Sequence, residues 1–259
     1  MKDTVYLHVL LIIATIVILI FPLNLLAATI ILFGGPCIYL TFRAPRHSVR
    51  AGVYAVIVTV ISLLTDYLAE MDNSWVSTTM FAHKVAGIVP IEALVWMFLF
   101  TYLIVMFYLF MLKRPVESIL SGRMRYVIGA ALAVLLFITY VSLTNRHFTF
   151  SYYYIIFGTA CIAVPLLLFT LKFPSYVKVY IKITPYFFIL GLVNVLTSLH
   201  KGHWSYPGNH FIGWIPLGRL SFPIEELVFW IILFPSFLVT QFDFFNSTFF
   251  AIGNNKKSE

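Results

Sequence analysis

Runs of 17 to 24 residues with almost no charge recur along this chain, and they leave it few ways to fold. A helix rises 1.5 Å per residue, so about 20 apolar residues cross the roughly 30 Å hydrocarbon core of a bilayer. Eight spans are expected: Val5–Phe21, Asn24–Phe42, Ala51–Ala69, Val89–Leu112, Tyr126–Leu143, Phe150–Leu171, Ile183–Leu199 and Phe222–Phe242. The first pair requires Phe21-Pro22-Leu23-Asn24 to turn as a tight hairpin. The first run could be mistaken for a cleaved leader, but cutting after Ala27 or Ala28 would put Leu25 or Leu26 where a small residue is needed. It is therefore read as a span.

Composition agrees. Hydrophobic residues make up 61% of the chain and charged ones 10%, against about 25% charged in a soluble domain. Too few charges exist to build a surface facing water. The net charge of +7 could suit nucleic acid, but the basic residues lie in short stretches between apolar runs rather than in one patch. Cys37 and Cys161, 124 residues apart inside apolar runs, read as buried small hydrophobes without disulfide or metal spacing.

The basic residues orient the map. Eight spans put 13 of the 17 Lys and Arg on the face that also carries both termini, including Arg43, Arg46, Arg50, Lys172 and Lys178. The opposite face has only Lys84, Arg146, Lys201 and Arg219. Basic residues favour the cytoplasmic side, so both termini are expected there.

The chain also repeats itself. Pro36 and Pro45 are nine residues apart, as are Pro165 and Pro174. Trp75 and Trp204 differ by 129, and Pro90-Ile91-Glu92 and Pro223-Ile224-Glu225 by 133. An offset of four spans preserves orientation, so the halves 1–125 and 126–259 read as parallel repeats about an axis normal to the membrane. The expected architecture is an all-α, polytopic transmembrane bundle with a functional cavity between the halves.

Acids inside such spans are expensive and mark function by default. Asp66, Glu92, Glu225 and Glu226 are the candidates. A proline two or three positions earlier puts each glutamate in a first helical turn. A carboxyl in a dry apolar cavity can stay protonated near neutral pH, whereas in a wet one it is an ordinary anion. Trp96, Phe229 and Trp230 each follow a glutamate by four residues, one turn deeper on the same face. A proton donor beside ring faces suits carbocation chemistry, the rings steadying the cation. The same rings would also serve an aromatic belt or ordinary packing. The loop Leu199–Ser221 carries His200, His203 and His210, but His-x-x-His without a placed carboxylate is a weak metal signal. No glycine-rich nucleotide fingerprint follows a strand.

Several motifs resemble the membrane-integral carotenoid cyclase domain family, the small lycopene cyclases. In the second half these are Gly202-His203-Trp204-Ser205-Tyr206, Gly213 and Phe222-Pro223-Ile224-Glu225-Glu226-Leu227. In the first they are Thr65-Asp66-Tyr67-Leu68-Ala69, Trp75 and Pro90-Ile91-Glu92-Ala93. Ala93 stands where the family has a second acid, and Asn194 where it has an aspartate. The resemblance implies a redox-neutral isomerisation of a linear carotenoid end group, with no cofactor, no metal and no nucleic acid. Glu225 would donate the proton and Glu92 would be its equivalent or the acceptor. Glu226 and Asp66 would tune or relay protons. Trp75, Trp96, Trp204, Tyr206, Phe229 and Trp230 would line the substrate, with Asn194 orienting a partner group. The bilayer and other membrane enzymes of carotenoid synthesis are the implied partners. A small-solute transporter with parallel repeats, or a non-catalytic relative of the cyclases, would share many of these features.

Overall fold

The computed structural model describes residues 2–112, 133, 136–142, 144 and 151–249. Among these, seven helices are long and apolar enough to cross a membrane. They are α1 (Lys2–Ile20), α2 (Leu25–Arg43), α3 (Pro45–Met71), α4 (Ile91–Leu112), α5 (Tyr153–Lys172), α6 (Pro174–His200) and α7 (Glu226–Asn246). The chain is an all-α bundle of the multi-pass membrane type. The expected span Tyr126–Leu143 and the boundary between residues 125 and 126 lie wholly or mostly outside the described residues.

Local chemistry sets the helix ends. The Phe21–Asn24 turn forms as expected, and the Asn24 side chain accepts from the Ala27 amide at 2.9 Å to cap α2. Helices α3 and α6 begin earlier than their apolar runs, each with a 3-10 turn opened by proline, Pro45–His47 and Pro174–Tyr176. Hydrogen bonding continues the helix beyond the hydrocarbon. The last expected span, Phe222–Phe242, is displaced to Glu226–Asn246 because Leu220–Pro223 is a strand.

Prolines leave a second signature. Pro36 in α2 and Pro165 in α5 cannot donate to the carbonyl four residues back. Each is preceded by a π-helical stretch, Ile30–Gly34 and Gly158–Ala163, that contains that carbonyl. Widened turns of this kind absorb a broken ladder. A third π stretch, Glu226–Leu233, opens α7.

Four short strands complete the described residues: β1 (Val76–Ser77), β2 (Trp204–Ser205), β3 (Trp214–Leu217) and β4 (Leu220–Pro223). Strands β3 and β4 form a hairpin whose turn contains Gly218 at φ +62°. Strands β1 and β2 join the distant loops after α3 and α6, with Val76 opposite Ser205 and Ser77 opposite Trp204. The loop after α6 also reaches back to α1: Lys201 Nζ donates to the carbonyls of Leu19 and Phe21.

Helix α4 packs along α3, and α7 packs against α4, α5 and α6. Aromatic rings fill the centre. Trp96 and Phe100 stack on α4, Trp230 and Phe234 meet edge to face on α7, and the two pairs touch across the bundle. At the basic end, the hydroxyls of Tyr108 and Tyr176 both donate to Asp243 Oδ2, at 2.6 and 2.5 Å. That carboxylate ties α4 and α6 to α7. Cys37 is buried, whereas Cys161 lies exposed on α5, correcting the expectation for the latter. In a bilayer the outer surface is as apolar as the core, so an apolar position need not be internal.

Gly158 on α5 lets the Phe229 ring of α7 lie directly against its backbone. A Cβ there would sit 2.2 Å from the Phe229 ring. Gly158→Ala should destabilise the detergent-solubilised protein by about 1–3 kcal/mol, as overpacking does, and lower its melting temperature. Gly52→Ala, where a Cβ meets nothing within 4 Å, should leave it unchanged or slightly raised.

Candidate functional site

A cavity of ≈ 50 Å³ lies at the loop end of the bundle, beneath the β1–β2 ribbon. Ten of its eleven lining residues fall into pairs drawn from the two halves of the chain. Leu25 and Tyr154, Trp75 and Trp204, and Ser77 and Tyr206 are each 129 apart. Ala93 and Glu226 are 133 apart, and Trp96 and Trp230 are 134 apart. Asp66 is the unmatched member.

The change of spacing from 133 to 134 has a local cause. It occurs inside the π stretch Glu226–Leu233, where a widened turn accommodates one extra residue. The expectation that Phe229 faces the cavity fails for this reason. Phe229 turns onto Gly158, and Trp230 takes the place that matches Trp96. Asn194 is buried within α6 and does not line the cavity.

The four acids divide into two kinds. Glu92 and Glu225 are both 0% exposed but do not line the cavity. Glu92 accepts from the Met80 amide at 2.7 Å and from the Thr79 hydroxyl. Glu225 accepts from the Ile212 amide at 2.6 Å, and its Oε2 has no hydrogen-bond partner among the described residues. Each carboxyl thus fixes the loop that precedes its own helix. Thr79 and Met80 lie 12 or 13 residues ahead of Glu92, and Ile212 lies 13 ahead of Glu225.

Asp66 and Glu226 line the cavity instead, 6% and 8% exposed. The Tyr154 hydroxyl donates to Glu226 Oε2. Tyr206 lies beside the same carboxyl, and burial, then the neighbouring Glu226, push its phenol well above the usual value, so it remains a neutral donor. Asp66 has no hydrogen-bond donor among the described residues. One turn on, Glu70 accepts from the Ser77 amide at 3.0 Å and lies 4.0 Å from Lys84.

Ring faces make most of the remaining wall. Trp75 and Trp230 meet edge to face at 5.8 Å between centroids, and Trp96 and Trp204 at 6.1 Å. The indole N–H groups of Trp96 and Trp204 are buried with no acceptor among the described residues. His203 is buried, with Nε2 2.9 Å from the Leu23 carbonyl. Among the described residues no three His, Cys, Asp or Glu side chains gather as metal ligands would.

Sequence reading missed Tyr154, Ser77, Leu25 and Ala93 as wall residues, and Glu70 as a loop anchor. Two of the four, Ser77 and Ala93, were within reach. Carrying the offsets back from Tyr206 and Glu226 gives Ser77 and Ala93, whereas Leu25 and Tyr154 pair only with each other. Glu70 belongs to no such pair, and nothing in its spacing distinguishes it from a hydrated acid at a span end.

No family model matches the chain, and no curated protein or solved structure is detectably similar to it.

Proposed function

We propose that the chain is a membrane-embedded, redox-neutral isomerase that protonates the terminal alkene of a linear carotenoid and closes a six-membered end ring. The observation that carries this reading is the cavity wall, where two buried carboxyls converge with four tryptophan rings. Its matched lining supports an arrangement of two same-orientation repeats about an axis through the cavity. With the basic excess at the other end of the bundle, both termini belong on the cytoplasmic side.

Hydrogen bonding divides the roles. Asp66, whose oxygens meet no donor among the described residues, carries the proton. Its transfer forms a C–H bond at the alkene and leaves a tertiary cation. The Trp faces steady that charge. The neighbouring double bond attacks to close the ring, and Glu226, oriented by Tyr154, accepts the proton then released. Proton gained equals proton lost, so the product has the substrate's composition. The proton must return from Glu226 to Asp66 before the next turnover. Glu225 and Glu92, the expected donor and its counterpart, anchor loops in this scheme.

The cavity is smaller than the roughly 150 Å³ that admits benzene in an engineered core, so an end group enters only as wall side chains move aside. Trp75 and Trp204, partly buried and held by edge contacts, are the groups placed to do so.

In cells that accumulate lycopene, expression should shift pigment absorbance to shorter wavelength with no change in mass. Unchanged pigment with the protein present in the membrane counts against the reading. Asp66→Asn and Glu226→Gln should each lower product formation by about 100-fold or more, the usual weight of a general acid or base. Glu92→Gln and Glu225→Gln keep an accepting oxygen for the loop amide and should retain turnover per folded molecule. Loss of turnover in these two, with Asp66→Asn active, reverses the assignment of the acids.

A further inference from the structure

We propose that the bundle binds the phosphate of an anionic membrane lipid at its basic end, in an open corner between α2, α3 and α4. A cavity of ≈ 310 Å³ lies there, with Arg43, Arg46 and His47 at its rim and Leu109 and Phe110 beneath. The second half of the chain supplies an internal control. Residues 129 further on form the matching corner between α5 and α6, and there the space is filled. Phe173 replaces Ala44, and Tyr176 replaces His47. Phe173 and Tyr176 both pack on Phe169 at 4.9 Å, and the Tyr176 hydroxyl is committed to Asp243. The first corner has Ala44 and His47 where the second has rings, and Arg46 where the second has Ser175, while Arg43 and Lys172 are a matched cation in both.

The charges fit a phosphate. Arg43 is held in place, with Nε 2.9 Å from Asp3 Oδ1 and its guanidinium 5.7 Å from the Phe110 ring centroid. Arg46 donates from Nε to His47 Nε2 at 3.2 Å and forms no ion pair among the described residues. Its terminal N–H groups are exposed at the rim, the fork geometry that suits phosphate oxygens. The surroundings favour a lipid over a soluble phosphate. Phe42 is 82% exposed and Val49 72% exposed, one on each side of the corner. Such apolar flanks suit acyl chains, and basic pockets between transmembrane helices bind phospholipid headgroups.

The test is native mass spectrometry of the full chain released from detergent with equal phosphatidylglycerol and phosphatidylcholine. The wild-type protein should retain phosphatidylglycerol preferentially. Arg46→Gln should reduce that retention about fivefold, the weight of one cation near a membrane surface, while Lys172→Gln at the filled corner leaves it intact. Equal retention of the two lipids, or an Arg46→Gln protein that behaves as wild type, overturns the proposal. So does stabilisation by inorganic phosphate without retained phosphatidylglycerol, because the ligand is then soluble. None of these outcomes depends on cyclase activity.

Discussion

The ladder between β1 and β2 is small, yet the geometry of the loop end depends on it. It pairs Val76 with Ser205 and Ser77 with Trp204, and Val76 and Ser205 are themselves 129 apart. An antiparallel pair in which a residue faces its own counterpart can lie on a two-fold axis. The ribbon therefore fixes Trp75, Ser77, Trp204 and Tyr206 around one point. Of its four residues Ser77 is buried, Val76 and Trp204 are half-buried and Ser205 is exposed, so the ribbon relies on further bonds around it. Glu70 reinforces the ribbon through the Ser77 amide, and Thr78 bonds the His203 carbonyl at its next position.

Much of the bundle was legible in the sequence because lipid imposes a simple rule on backbone and length. Every apolar run within the described residues became a helix, and the Asn24 cap and the prolines set ends where turn chemistry places them. What could not be read was finer. A run of apolar residues does not say that Leu220–Pro223 pairs with Trp214–Leu217, since strand and helix look alike over four residues. Nor does it say which acid faces inward. Glu225 and Glu226 are neighbours on one turn, and a single backbone amide, that of Ile212, draws the first away from the cavity.

The acids illustrate how alike two carboxyls can be in sequence and how different in surroundings. Glu92 and Glu225 are the most buried, which on a hydropathy argument alone makes them the strongest candidates for chemistry. Each instead accepts from one loop amide, the ordinary means of satisfying a buried polar group, although Glu225 Oε2 has no partner among the described residues. Asp66 and Glu226 are slightly more open and far less alike in surroundings. One has no donor among the described residues, and the other has a phenol bonded to it and a second beside it. That asymmetry arises inside a frame of matched residues, where Ala93 faces Glu226 across the cavity.

The extra residue near the start of α7 has a consequence for how such a chain can change over time. A helix that takes up an insertion in one loose coil leaves everything downstream in its old angular position. Phe234 still meets Phe100, although the numbering between them has slipped. One copy of a duplicated segment can thus lengthen without surrendering its stacking partners. A gapless comparison of the copies then pairs Trp96 with Phe229 and conceals the kinship it was meant to detect.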